Sequence, residues 1–138
     1  MTRFVLDASV AVAWCFEREA TPHTAQILEM LVEGEAVVPA IWPFEVANAL
    51  LRAERNKRVT RAETVTFLNQ LQALAILVEQ DVPGRVCREI LSLGREQNIS
   101  VYDAAYLDLA MRQGLPLATS DQELAKAAGR LGVRRAGE

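Results

Sequence analysis

The sequence predicts an α/β domain with a mostly parallel central sheet of four to five strands flanked by about seven helices. Three observations lead there. Short apolar runs of strand length alternate with longer segments of helical period, as in successive strand–helix–strand crossovers. A chain of 138 residues has room for one hydrophobic core and not for two, so residues 1–138 are expected to form a single domain. Its composition, 51% hydrophobic and 24% charged, is globular, and no repeat or low-complexity stretch marks a linker.

The elements follow in order. The apolar run ending in Phe4-Val5-Leu6 makes Arg3 to Leu6 the first strand, and a helix over 10–17 follows Asp7, with Ser9 available to cap it. Thr21-Pro22 opens a helix over 22–33, which leads to a second strand at Ala36 to Val38. Pro43 stands near the start of a helix over 43–56. Thr60-Arg61-Ala62-Glu63 has the spacing of a capping box and opens a helix over 61–74. Ile76 to Glu79 is the third strand, and Gly84 stands near the start of a helix over 84–97. Ser100 opens a helix over 101–113 that Gly114 and Pro116 close. Leu115 to Ala118 is the fourth strand, Asp121 caps a helix over 122–130, and Val133-Arg134 is a short fifth strand.

Several function classes drop out at once. His23 is the only histidine and reads as an exposed polar residue at a helix start, which removes histidine-based acid–base catalysis and Ser-His-Asp triads. Cys15 and Cys87 belong to no C-x-x-C pair, so they read as buried reduced thiols rather than a zinc or redox site. A net charge of −3 argues against a general electrostatic nucleic-acid binder while leaving room for a local basic patch. Asp7 interrupts the first apolar stretch, no small-residue cleavage site follows, and no window has the length of a membrane span. A soluble, cytoplasmic protein is expected.

Four acids stand at element junctions. Asp7 and Asp121 directly follow strands, Glu45 lies in the first turn of a helix behind Trp42-Pro43, and Asp103 lies three residues after Ser100. Each alone has an ordinary explanation: a turn residue, a helix cap, a helix-dipole partner, half of a capping box. Together they mean more, because an open α/β sheet binds ligands beyond the carboxyl ends of its strands. If all four converge there, two charges about 5 Å apart repel by roughly 3 kcal/mol at an effective dielectric of 20. Such a cluster requires a cation or a shared proton, and oxygen ligands without His or Cys select Mg²⁺ or Mn²⁺. Asp108 is the contrast: it is turned about 140° from Asp103 on an ideal helix, with Arg112 four residues on for a surface ion pair.

The blocks "VLDASVAVAW", "EVANALLR", "SVYDAAYLDLA" and "LATSDQELAKAA", in this order across nearly the whole chain, resemble those of PIN-domain ribonucleases, and specifically VapC-type toxins of type II toxin–antitoxin pairs. The resemblance implies a PIN-like fold and an acidic quartet, Asp7, Glu45, Asp103 and Asp121, that holds Mg²⁺ or Mn²⁺ and directs water at an RNA phosphodiester. It matches Ser9 and Thr119 to hydroxyl positions beside the acids, which are equally read as a helix cap and a strand-end hydroxyl. Asn48 and Arg52 follow Glu45 on its helix face, where they can position it or touch phosphate. Arg52, Arg55, Lys57, Arg58 and Arg61 form the densest basic stretch, an RNA-backbone contact or simply a solvated helix end. One departure stands out: Ala13 occupies a position that is often lysine in relatives with the "DASVA" opening.

The resemblance also implies a VapB-type antitoxin partner and a homodimer, for which the apolar helices Ala25 to Val32 and Val65 to Leu74 offer surface when they are not used in the core. A free-standing PIN ribonuclease without an antitoxin, or a non-catalytic metal- or RNA-binding module, would keep the same fold. An aspartyl phosphatase is disfavoured, since Ser9 stands where a second acid would follow Asp7.

Overall fold

The computed structural model describes residues 2–137. Four strands, β1 (Arg3–Leu6), β2 (Glu35–Pro39), β3 (Ile76–Glu79) and β4 (Leu117–Ala118), form one parallel sheet in the order β3-β2-β1-β4. The helices are α1 (Ala8–Ala13), α2 (Pro22–Met30), α3 (Trp42–Arg55), α4 (Arg61–Gln72), α5 (Pro83–Arg85), α6 (Leu91–Gln97), α7 (Val101–Gln113) and α8 (Gln122–Arg130). A π-helical turn, Val86–Ile90, joins α5 to α6, so the single helix expected over 84–97 is one run with a wider turn inside it. Hydrophobic period does not resolve such a bulge.

β1 is an inner strand, and its apolar sequence suits that place: Phe4, Val5 and Leu6 are completely buried, with β2 and β4 on its two edges. α7 packs across β1 and β2 through Ala104, Tyr106, Leu107 and Ala110, while α1 packs on α3 and α2. Gly34 lets the α2–β2 turn close under the first strand, since a Cβ there would lie 2.5 Å from the Thr2 carbonyl oxygen and 2.6 Å from that of Met30.

Three expected elements differ. The first helix starts earlier and ends at Ala13, after which Phe16 turns extended and buries its ring, followed by a 3-10 turn at Glu17–Glu19. β4 begins at Leu117 and not at Leu115, because the Leu115 N–H bonds back to the Ala110 carbonyl to close α7 around Gly114, which has a φ of 65°. Val133-Arg134 is not a strand. The chain meets β4 in a single bridge between Leu117 and Arg135, as a two-residue edge offers no longer ladder.

Two further expectations are corrected. His23 is half-buried and its Nε2 lies 3.0 Å from the Ala136 carbonyl oxygen, while Gln26 donates to the Gly137 carbonyl at 2.9 Å, so α2 holds the C-terminal segment. Cys87 is exposed and Cys15 only half-buried; both are unpaired. Among the described residues, no helix is long and apolar enough to cross a membrane.

Candidate active site

The parallel register brings the ends of β1 and β4 side by side. Val5 pairs with Leu117 and Leu6 with Ala118, and the Asp7 N–H continues the ladder one step by donating to the Ala118 carbonyl at 2.9 Å. The chain leaves β1 toward β2 on one side and returns as β4 on the other. The carboxyl ends of β1 and β4 therefore flank the point where strand order reverses, the usual crevice of an open α/β sheet.

Asp7 lies at this point, only 5% exposed, at the N-cap position of α1 but without a capping hydrogen bond from its side chain. Its Oδ2 instead accepts from the hydroxyls of Ser9 and Thr119, each at 2.7 Å. Ser9 Oγ and Thr119 Oγ1 in turn accept the backbone N–H groups of Ser120 and Asp121, at 3.1 and 3.0 Å. The hydroxyls thus lock the start of α1 to the loop after β4. Ser9 is accordingly not the cap of the first helix. Burial is the main force raising the Asp7 pKa; the two hydroxyls lower it, and the Asp121 charge raises it again.

Asp121 caps α8 through Oδ1, which accepts from the N–H groups of Glu123 at 2.9 Å and Leu124 at 3.1 Å. Asp103 lies in the first turn of α7, where its N–H donates to Ser100 Oγ at 3.0 Å. The reciprocal bond of a capping box, from the Ser100 N–H to the Asp103 carboxylate, is not made among the described residues. Its pKa is pushed up to about 6, first by burial and then by the charges of Asp121, Asp7 and Glu45. Asp103 therefore feels the charges of the other three acids.

Glu45 lies in the first turn of α3, half-buried, with its pKa raised by burial and by Asp7. Its Oε1 accepts the Tyr106 hydroxyl at 2.6 Å, which pulls the other way. The sequence motifs by themselves assign Tyr106 no role. The available signal was a phenol one helical turn from Asp103, since a buried hydroxyl needs a partner. No hydrogen bond joins Asn48, the expected partner, to Glu45 among the described residues, and Asn48 is exposed.

The donor set is four carboxylates with two hydroxyls behind one of them, which suits a hard divalent cation. As placed, no three or more of the described His, Cys, Asp and Glu side chains stand close enough to hold a metal ion.

Of the basic residues, Arg52, Arg55 and Lys57 are exposed on the end of α3 and the turn after it. Arg58 is exposed as well, and its guanidinium lies 4.5 Å from the centre of the Phe16 ring and 3.8 Å from Glu19. Asp108 does pair with Arg112, at 2.8 Å, but it is buried and not a surface group. Arg85 reaches its other oxygen at 2.8 Å, and Arg112 continues to Glu79 at 2.6 Å, so the network ties the end of β3 to α7.

The chain is 27% identical over 124 residues to Ribonuclease VapC3 of Pyrobaculum aerophilum, an alignment that covers 90% of this chain and 93% of that protein. It superposes on the crystal structure of PAE2754 from Pyrobaculum aerophilum with a TM-score of 0.71 at 24% identity, covering 91% of this chain and 84% of the other, a likeness of fold. The model of the PIN domain matches residues 4–130, and the acids described above all lie within that span. On that match, with the parallel sheet and acidic strand ends already seen, the chain belongs to the PIN-domain family.

Proposed function

We propose that this protein is a metal-dependent endoribonuclease that hydrolyses RNA phosphodiester bonds, and that it is the toxin of a VapBC-type pair. The observation that carries the reading is the buried Asp7 carboxylate, held by Ser9 and Thr119 and facing Asp103, Glu45 and Asp121 beyond the ends of β1 and β4. The similarity to Ribonuclease VapC3 supports ribonuclease activity.

Asp7, Glu45, Asp103 and Asp121 would hold Mg²⁺ or Mn²⁺, with Asp7 and Asp103 contributing most directly. The bound cation supplies charge neutralisation at the scissile phosphate and a more acidic water. Ser9 and Thr119 orient Asp7, and their own acceptor bonds from Ser120 and Asp121 keep that orientation fixed. Without a cation the four carboxylates would repel a polyanion, and Arg52, Arg55 and Lys57 would supply the positive charge that holds the RNA backbone. With water as the direct nucleophile and a cation to make it more acidic, neither a protein nucleophile nor a histidine would be required.

Exposed apolar side chains support a protein partner and self-association. Phe44, Leu51, Val65 and Leu68 project from α3 and α4, beside a cleft of about 390 Å³ lined by Trp42, Val46, Leu71 and Ile76. A VapB-type antitoxin and a second copy of the chain are the proposed occupants of such surfaces.

The test is incubation of purified cellular RNA with the wild type and Asp7→Asn in Mg²⁺, Mn²⁺ or chelator, with the cut ends mapped. Cleavage only by the wild type with metal is expected. Cleavage by both, or in chelator, rejects the reading.

A further inference from the structure

We propose that Tyr106 is the positioning residue for Glu45, its hydroxyl fixing how that carboxylate is presented to the rest of the acidic cluster. The inference rests on the metal-dependent reading above and adds to it a residue outside the quartet.

Tyr106 is completely buried on α7, whereas Glu45 comes from α3 and is only half-buried. The phenol donates to Glu45 Oε1 at 2.6 Å. Tyr106 stands three positions after Asp103, on the same side of the helix. One buried hydroxyl therefore joins α7, the helix that carries Asp103, to Glu45 on α3. A long, half-exposed Glu side chain has several accessible rotamers, and a hydrogen bond from a fixed buried donor selects one of them. With Oε1 engaged, the remaining acceptor positions of the carboxylate are left for a cation. A phenylalanine would fill the same space, so packing accounts for the ring and not for the oxygen.

The test uses the purified full chain and Mn²⁺ alone, with affinity read from the free-ion spin-resonance signal and fold from thermal unfolding. Tyr106→Phe is expected to weaken Mn²⁺ binding about 10-fold, the lower end of the range for residues that orient metal ligands. In a Glu45→Gln background the same change is expected to have no further effect. A Tyr106→Phe protein that binds Mn²⁺ within about twofold of wild type, or a loss that persists undiminished in the Glu45→Gln background, overturns the inference while leaving the nuclease reading intact. A wild type that takes up no Mn²⁺ overturns both. Should Tyr106→Phe fail to fold, Glu45→Asp draws the carboxylate back from the phenol without touching the core; it is expected to lose about 10-fold, and unchanged affinity rejects the proposal.

Discussion

Thr119 Oγ1 donates to Asp7 Oδ2 across 2.7 Å, joining the residues that follow two neighbouring parallel strands. Both side chains are buried, so neither has water as a substitute partner. Thr119→Val keeps the shape and removes the donor. Loss of one partner of a buried, charged acceptor costs about 1–3 kcal/mol. A lower urea midpoint at neutral pH is expected, and the half-buried Ser9→Ala should lose less.

Asp103 predicts an unusual pH dependence for the metal-free protein. Its pKa in the fold is about 6, raised from 3.8, so ionisation is harder in the native state than in the unfolded chain. The favourable contribution of the protonated group is full below 3.8 and is lost as pH rises through about 6. Burial and like charges raise Asp7 and Glu45 too, so they act in the same direction. In chelator, the contribution of these acids to melting temperature should fall between about pH 4 and pH 7. Asp103→Asn should flatten part of that fall, raise stability at neutral pH, and abolish cleavage. A thermal-shift series with and without Mg²⁺ reads all of this.

Asp108 makes the opposite prediction, stability without chemistry. It accepts from Arg85 and Arg112 at 2.8 Å each, on the other side of α7 from the cluster. Asp108→Asn leaves both guanidinium groups with a neutral acceptor and should cost about 1–3 kcal/mol in urea unfolding. Cleavage per folded molecule should be unchanged.

The basic residues divide by what they touch. Arg52, Arg55 and Lys57 are exposed, and if they contact phosphate, each change to alanine should reduce the salt slope of RNA binding by about one unit. Arg58 lies over Phe16 and near Glu19. Arg58→Ala is expected to lower the melting temperature while leaving the salt slope unaltered.

Much of this was legible before any coordinates. Strands Arg3–Leu6 and Ile76–Glu79 follow from apolar runs, and the α2 and α4 starts from Thr21 and Thr60, each of which forms a reciprocal capping box. The acids were legible as residues at element junctions. What escaped depends on partners distant in sequence. Nothing near Tyr106 announces Glu45, nothing near His23 announces Ala136, and nothing near Arg58 announces Phe16. The fifth strand is lost for a related reason: Val133-Arg134 has strand-like residues, but the two-residue β4 gives the following chain only a single bridge, between Leu117 and Arg135.

The sheet order has a consequence for the protein's own synthesis. β1 is made before β4, and Thr119 follows Asp7 by 112 residues. A nascent chain therefore carries Asp7 through the synthesis of that whole stretch without the two residues that complete its surroundings. Whatever chemistry the assembled pocket performs is withheld until β4 has emerged and paired with β1.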